Sequence, residues 1–187
     1  MASEIRLVVK REVTRDDTGA LGWNRGWQLD GIGREGDSPL RDLWSTGDTS
    51  ITYIEDPFVQ LRYIVVRGKN AREVSDEVRG ALAVWSEQEA LMLLERAGNR
   101  DEKVHAIYLV AVSASGEENQ PVIDAFQRVA EDDEADARRA LLVGIGYLGS
   151  WPSLRRLAEG IQRDDPDPVV RRDAGFLLEG LDLPQSP

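Results

Sequence analysis

The sequence predicts an α+β chain in which a β-rich region, residues 1–69, precedes a C-terminal α-solenoid of about three helical hairpins, residues 70–183. Apolar residues recur at every second position in parts of the first region, and at intervals of three and four after Lys69. The helical half also contains an internal repeat with a step of 34 residues, which is typical of stacked helical hairpins. Residues 184–187 are predicted to be a tail.

The β-rich region is predicted to consist of strands joined by loops. Glu4–Val13 alternates apolar and polar residues and is predicted to be a strand. Thr14–Gly47 is rich in Gly, Asp and Ser, and we expect loop there, with at most one short strand near Trp27–Ile32. Ser50–Ile54 and Phe58–Val66 flank a Glu-Asp-Pro turn and predict a hairpin.

After Lys69 the apolar spacing predicts seven amphipathic helices. The first spans Asn70–Trp85, with an apolar stripe along one side. Ser86 followed by Glu89 forms a capping box that starts the next helix. The remaining helices are expected around Leu93, Leu109, Phe126, Val143, Leu157 and Leu177.

The internal repeat arranges these helices in pairs. Ala106, Ala140 and Ala174 are 34 residues apart, and their apolar neighbours keep the same step. The helices between them step by 32 residues, a difference that loop length can absorb. Three copies of a two-helix unit predict a stack in which each hairpin buries its apolar face against its neighbours.

The segment Asp165–Ala174, with the Gly-Phe-Leu-Leu-Glu-Gly-Leu that follows it, resembles the second helix of HEAT-like repeats, including the short type found in phycobilisome lyases. Asp133–Leu148 and Asn99–Ser113 are looser matches, and the resemblance covers about 85 C-terminal residues. It implies stacked hairpins joined by a hydrogen-bonded ladder between an Asp before each second helix and an Arg within it. By position, the ladder would involve Asp133, Asp167, Arg138 and Arg172. HEAT-like repeats share no common reaction, so the resemblance implies fold more than function.

Charge is distributed unevenly along the chain. Residues 1–69 have a net charge of −1 and residues 70–187 a net charge of −10. An acidic surface repels phosphate backbones, so we expect no nucleic-acid binding. No apolar run approaches the roughly 20 residues that span a bilayer, so we expect no membrane association and a cytoplasmic location.

Two segments match the Gly-x-Gly-x-x-Gly pattern, Gly31–Gly36 and Gly144–Gly149. A dinucleotide site needs this pattern between a buried strand and the start of a helix, where backbone amides are free to bind phosphate. The first segment is expected in a loop. The second is expected at the end of a helix, where glycine permits close packing and a C-cap. Neither is expected to bind a nucleotide.

Acidic residues cluster in equivalent turns between first and second helices. These turns share one edge of a stack, so together they predict an acidic edge that could bind a basic partner. Helix capping is the alternative role, because Asp at a helix start binds free amides, but one Asp per turn would meet that need. The candidate residues of the acidic edge are Glu131, Asp132, Asp133, Asp136, Asp164, Asp165 and Asp167.

The second helices carry basic and aromatic residues at similar positions, and in HEAT-like stacks these helices line the concave face. Such a face could hold an acidic peptide or a partner helix. A ladder between repeats, with the aromatic residues in the core, is the alternative interpretation. The candidates are Lys103, Tyr108, Arg138, Arg139, Arg171 and Arg172, with Phe176 in the last helix.

We therefore predict a protein–protein interaction module, a scaffold or adaptor whose partner is another protein. One alternative is an immunity or antitoxin-type protein that binds a basic toxin through the acidic edge; a second is a lyase-like or small-ligand-binding HEAT protein. His105 is the only histidine and cysteine is absent, so we expect no metal site, cofactor or enzymatic activity. His105 aligns with Arg139 and Asp173 and is expected to be solvated.

Overall fold

The computed structural model describes residues 3–114, 116–149 and 151–183. It confirms the α+β class, with an antiparallel five-stranded sheet followed by a run of helices. The chain divides into two compact units, Met1–Ser86 and Glu87–Pro187. The tail predicted for residues 184–187 lies outside the described residues.

Among the residues that the structure describes, the first unit contains five strands and two helices. The sheet order is β1-β5-β4-β3-β2, and every neighbouring pair is antiparallel. The predicted first strand is present but ends at Val8 rather than Val13, because beyond Val8 only an isolated bridge of Val9 with Val84 continues the pairing. The predicted short strand and hairpin are present, with the hairpin turn at residues 57–60 instead of the predicted Glu-Asp-Pro turn. The elements are β1 Ser3–Val8, α1 Arg15–Arg25, β2 Gln28–Gly31, β3 Leu40–Thr46, β4 Thr49–Asp56, β5 Leu61–Gly68 and α2 Ala71–Ala81.

The prediction of loop through most of Thr14–Gly47 was wrong, because α1 and β3 lie within it. Helix α1 has local start and stop signals. The Thr14 side chain accepts a hydrogen bond from the Asp17 backbone N–H, the Asp17 carboxylate accepts one from the Thr14 N–H, and Gly26 ends the helix in the left-handed conformation.

The spacing of apolar residues does not reveal helix α1, because only one of its three buried residues has a large apolar side chain. Its buried residues are Thr18, Leu21 and Gly22. A Cβ built on Gly22 would lie 3.0 Å from the Trp44 ring, so the glycine lets the helix backbone approach that tryptophan closely. A helix that packs through glycine and threonine leaves no wide apolar stripe in the sequence.

Helix α2 ends at Ala81, four residues before the predicted end, and packs against β1 and β5. It therefore belongs to the first unit, and the units divide after Ser86 rather than at the predicted boundary after residue 69. Trp27 and Trp44 are buried in this unit, whereas Trp23 is exposed. The core comprises Leu7, Val9, Val13, Leu21, Trp27, Trp44, Ile51, Tyr53, Ile64, Val66, Ala71, Val74 and Val78.

The second unit contains six helices in the part that the structure describes, as predicted. Each odd-numbered helix packs against the even-numbered helix that follows it, and the even-numbered helices α4, α6 and α8 pack in a row. The odd-numbered helices contact one another in the same order. The helices are α3 Glu87–Arg96, α4 Arg100–Ser113, α5 Gln120–Ala130, α6 Ala135–Leu148, α7 Pro152–Asp164 and α8 Pro168–Asp182.

The glycines of the second Gly-x-Gly-x-x-Gly segment act in packing and helix termination. A Cβ on Gly144 would lie 3.2 Å from the Ala111 Cβ and 3.3 Å from the Phe126 ring. Gly149 has a φ of 75° and follows the last residue of α6. The segment thus lies at the C-terminal end of a helix, where free backbone amides for a phosphate are lacking, as expected.

Candidate interaction surfaces of the helical unit

The turn between α5 and α6 is joined to α4 by an ion pair. The Lys103 Nζ donates to Asp132 Oδ2 at 2.6 Å, and Asp132 also accepts a hydrogen bond from the backbone N–H of Glu134. Burial alone would raise the pKa of Asp132, but these two hydrogen bonds outweigh it and hold the pKa below its ordinary value.

The turn between α7 and α8 is joined to α6 in the same way, by a more deeply buried pair. The Arg138 Nε donates to Asp165 Oδ2 at 2.7 Å and its Nη2 donates to Oδ1 at 3.0 Å. The two side chains are 6% and 2% exposed. Burial opposes ionisation of Asp165, but Arg138 and the backbone N–H of Asp167 outweigh this effect, so the pKa of Asp165 is lowered.

A second contact links each of these turns to the helix that follows it. The Arg138 Nη1 donates to the backbone oxygen of Asp132, and the Arg171 Nη1 donates to the backbone oxygen of Asp165. The contacts therefore continue from α4 through both turns to α8. We call this set the inner ladder, and its members are Lys103, Asp132, Arg138, Asp165 and Arg171.

The inner ladder differs from the one that the resemblance implied. Arg138 belongs to it, but Asp133 is exposed and Asp167 caps α8 by accepting a hydrogen bond from the Val169 backbone N–H. Arg172 pairs with Asp173 instead. In each turn the ladder carboxylate lies one or two residues before the expected one.

A second chain of ion pairs crosses the same three helices at the surface. The Arg100 Nη2 on α4 lies 2.8 Å from Asp136 Oδ2 on α6, and the Arg139 Nε donates to Asp173 Oδ2 on α8 at 2.8 Å. Arg139 also lies 3.9 Å from Asp136, and the Arg172 Nη2 lies 2.9 Å from Asp173. We call this set the surface network: Arg100, Asp136, Arg139, Asp173 and Arg172.

Arg100 and Asp173 were not predicted as site residues. A signal for Asp173 was present, because it follows Arg139 by 34 residues, the period of the repeat. Residues one repeat period apart occupy equivalent positions on neighbouring second helices, so opposite charges at that separation can form an ion pair. Arg100 and Asp136 are 36 residues apart, a separation close to the same period.

Aromatic side chains accompany the surface network. Phe176 is 61% exposed, and the Arg172 guanidinium lies over its ring at 5.9 Å from the centroid. Tyr108 is half-buried, and burial raises its pKa. His105 is exposed on the same helix, as expected. The surface network with Tyr108 and Phe176 forms what we call the exposed strip.

The acidic edge is only partly available to a partner. Asp132 and Asp165 belong to the inner ladder, Asp167 caps a helix, Asp136 lies in the surface network, and Asp164 pairs with Arg163. The two acidic-edge residues that remain, Glu131 and Asp133, lie with Glu134 in the turn between α5 and α6. Within the described parts of the chain, the side chains of Glu131, Asp133 and Glu134 are exposed and form no hydrogen bond or ion pair.

A small groove lies between α3 and α5, beside the first pair of the inner ladder. Its volume is about 140 Å³, and its apolar lining includes Leu91, Leu94 and Val129. The ion pairs Glu95–Arg128 and Lys103–Asp132 border it. Ligand pockets usually have volumes of about 300–1,000 Å³, so the groove suits a single aliphatic side chain better than a small-molecule ligand.

No group of three or more His, Cys, Asp or Glu side chains is placed to hold a metal ion in residues 3–114, 116–149 and 151–183. None of the helices described has the length and apolar character needed to cross a bilayer. Comparisons with protein-family models, curated proteins and solved structures returned no match for this chain.

Proposed function

We propose that this chain is a protein-interaction module and that its helical unit is a short HEAT-like α-solenoid. The observation that carries the proposal is the recurrence of one contact: a cation on the second helix of one hairpin, α4 or α6, binds a carboxylate in the turn within the next hairpin, at Lys103–Asp132 and again at Arg138–Asp165. Such repeated ion pairs hold successive hairpins in register. The side chains of the exposed strip lie outside these pairs and are available to a partner.

The exposed strip is the surface that best fits a protein partner. It combines three Arg side chains with an exposed aromatic ring, and Arg and aromatic residues are enriched among residues that dominate binding energy. The surface network contains three positive and two negative charges, so it retains a net positive charge within an acidic unit. An acidic peptide or partner helix could compete with Asp173 for Arg139 and Arg172.

The test is to recover a partner with the tagged chain from its native host, identify it, and measure the Kd with purified proteins. We expect Arg172→Gln combined with Phe176→Ala to weaken binding about 30-fold, the effect of losing about 2 kcal/mol at a binding hot spot. The control is Arg156→Gln, an exposed arginine on α7. Failure to recover a specific protein, or equal affinity of both variants, would reject the proposal.

A second candidate is an immunity or antitoxin-type protein that binds a basic toxin. Its support is the exposed acidic turn at Glu131, Asp133 and Glu134, whose carboxylates have no cationic partner among the described residues. The triple variant Glu131→Gln, Asp133→Asn, Glu134→Gln should slow association with a basic partner and remove its salt dependence. Asp132 and Asp165 should be left unchanged, because their replacement would disturb the inner ladder. Unaltered association kinetics would eliminate this candidate.

A further inference from the structure

The last residue of the inner ladder, Arg171, makes only one of the two kinds of contact that Arg138 makes. Arg138 donates through Nη1 to the backbone oxygen of Asp132, in the turn before α6. Through Nε and Nη2 it donates to the carboxylate of Asp165, in the turn between α7 and α8. Arg171 makes the first kind of contact, to the backbone oxygens of Asp165 and Pro166. No carboxylate in the described residues pairs with its guanidinium.

We propose that Arg171 is a partner-binding residue, and that it binds the carboxylate of an Asp or Glu in the turn of a partner helical hairpin. The partner would dock on α8 as α7 and α8 dock on α6, with its acidic turn in the place that Asp165 occupies beside Arg138. Arg171 is half-buried, and both of its hydrogen bonds to the turn come from Nη1, so Nε and Nη2 have no acceptor among the described residues.

The net charge favours a single carboxylate over a phosphate-rich ligand. The bidentate contact of Arg138 with Asp165 is the template within this chain, and its donor atoms match the two oxygens of a carboxylate. Phosphate-rich partners would meet the net negative charge of residues 70–187, which opposes their approach. A hairpin with an acidic turn can bring one carboxylate to Arg171 while its other contacts are apolar.

This inference rests on the proposed stack, but it concerns the end of the inner ladder and not the exposed strip. A direct probe is the full chain extended after Leu183 by a second copy of its own hairpin, residues 151–183. The extension supplies a turn with the Asp165 equivalent next to Arg171. Four proteins form a double-mutant cycle: the extended chain, its Arg171→Gln variant, the variant with Asn at the Asp165 equivalent of the copy, and the double variant.

Amide hydrogen exchange, followed by NMR, distinguishes the two copies of the hairpin. It measures the open fraction, which is the fraction of molecules in which the appended hairpin is locally unfolded. We expect each single variant to increase the open fraction about five-fold and the double variant to increase it no further, because both remove the same contact. Arg163→Gln, on the exposed end of α7, should leave the open fraction unchanged.

Independent effects that multiply in the double variant would overturn the inference, as would an appended hairpin that stays unfolded. These outcomes are separate from failure of the proposed function, since the extended chain requires no native partner. Once a partner is known, Arg171→Gln should weaken its binding about ten-fold, with Arg156→Gln as control. Undiminished affinity for Arg171→Gln would show that the partner does not use this residue.

Discussion

The inner ladder and the surface network cross the same three helices with the same kinds of side chain, yet they differ in burial. In the inner ladder, Arg138 and Asp165 are almost fully enclosed. In the surface network, 47% of the Arg139 side chain is exposed. Removing one partner of a buried pair leaves an uncompensated charge at a cost of about 3–5 kcal/mol, whereas an exposed pair contributes about 0–1 kcal/mol. Burial therefore makes the inner ladder a structural contact that the fold needs, whereas the surface network contributes little to stability.

The largest effect is expected when the buried pair is broken. Arg138→Met leaves Asp165 without its bidentate partner and should lower the free energy of unfolding by about 3–5 kcal/mol. Urea denaturation followed by circular dichroism measures the change. Arg156→Gln is the control and should alter it by less than about 0.5 kcal/mol. A decrease of less than about 1 kcal/mol in the free energy of unfolding for Arg138→Met would show that the inner ladder does not stabilise the fold.

Acid should weaken the same pair. The pKa of Asp165 is lowered from its ordinary value of 3.8, so its contribution to stability is present above pH 3.8 and is lost as pH falls through the lower pKa of the folded state. At pH 7 Asp165→Asn should be less stable than the native chain, and this difference should narrow as pH falls below about 4. Denaturation at a series of pH values tests the sign. Asp133→Asn, at an exposed position, is the control, and a difference that is constant with pH would contradict the prediction.

The first pair of the inner ladder should have an intermediate effect. The Lys103 and Asp132 side chains are 24% and 18% exposed, so water compensates partly for a lost partner. We expect Lys103→Gln to lower the free energy of unfolding by about 1 kcal/mol. Thermal denaturation would measure this. A loss as large as that of Arg138→Met would mean that exposure does not explain the difference between the two pairs.

The smallest effect on stability is expected in the surface network. Arg139→Gln should change the free energy of unfolding by at most about 0.5–1 kcal/mol, and added salt should reduce the effect further. The same variant should weaken partner binding if the exposed strip is the contact surface. A stability loss of several kcal/mol would place Arg139 among the structural joints and remove the contrast between the two sets.

Helices α5, α7 and α8 could be predicted because each buries one side, which imposes the helical spacing on its apolar residues. Helices α4 and α6 bury residues around most of their circumference, and the 34-residue repeat indicated them as well. Helix α1 could not be found this way, since it packs through Thr18 and Gly22. The hairpin of β4 and β5 was evident from its two β-branched runs. Strand β3 was missed because Asp42 occupies one of its buried positions, where Arg15 binds it.

The α+β class, the six helices of the second unit, the pairing of β4 with β5 and the acidity of the helical half are all evident from the sequence alone. These properties follow from the spacing and charge of neighbouring residues. Contacts between elements distant in the chain establish that α2 packs against the sheet, and that Asp132 and Asp165 belong to the inner ladder while Asp133 is exposed. Adjacent aspartates in a turn have the same local chemistry, and the position of the cation on α4 or α6, the second helix of the preceding hairpin, determines which one is buried.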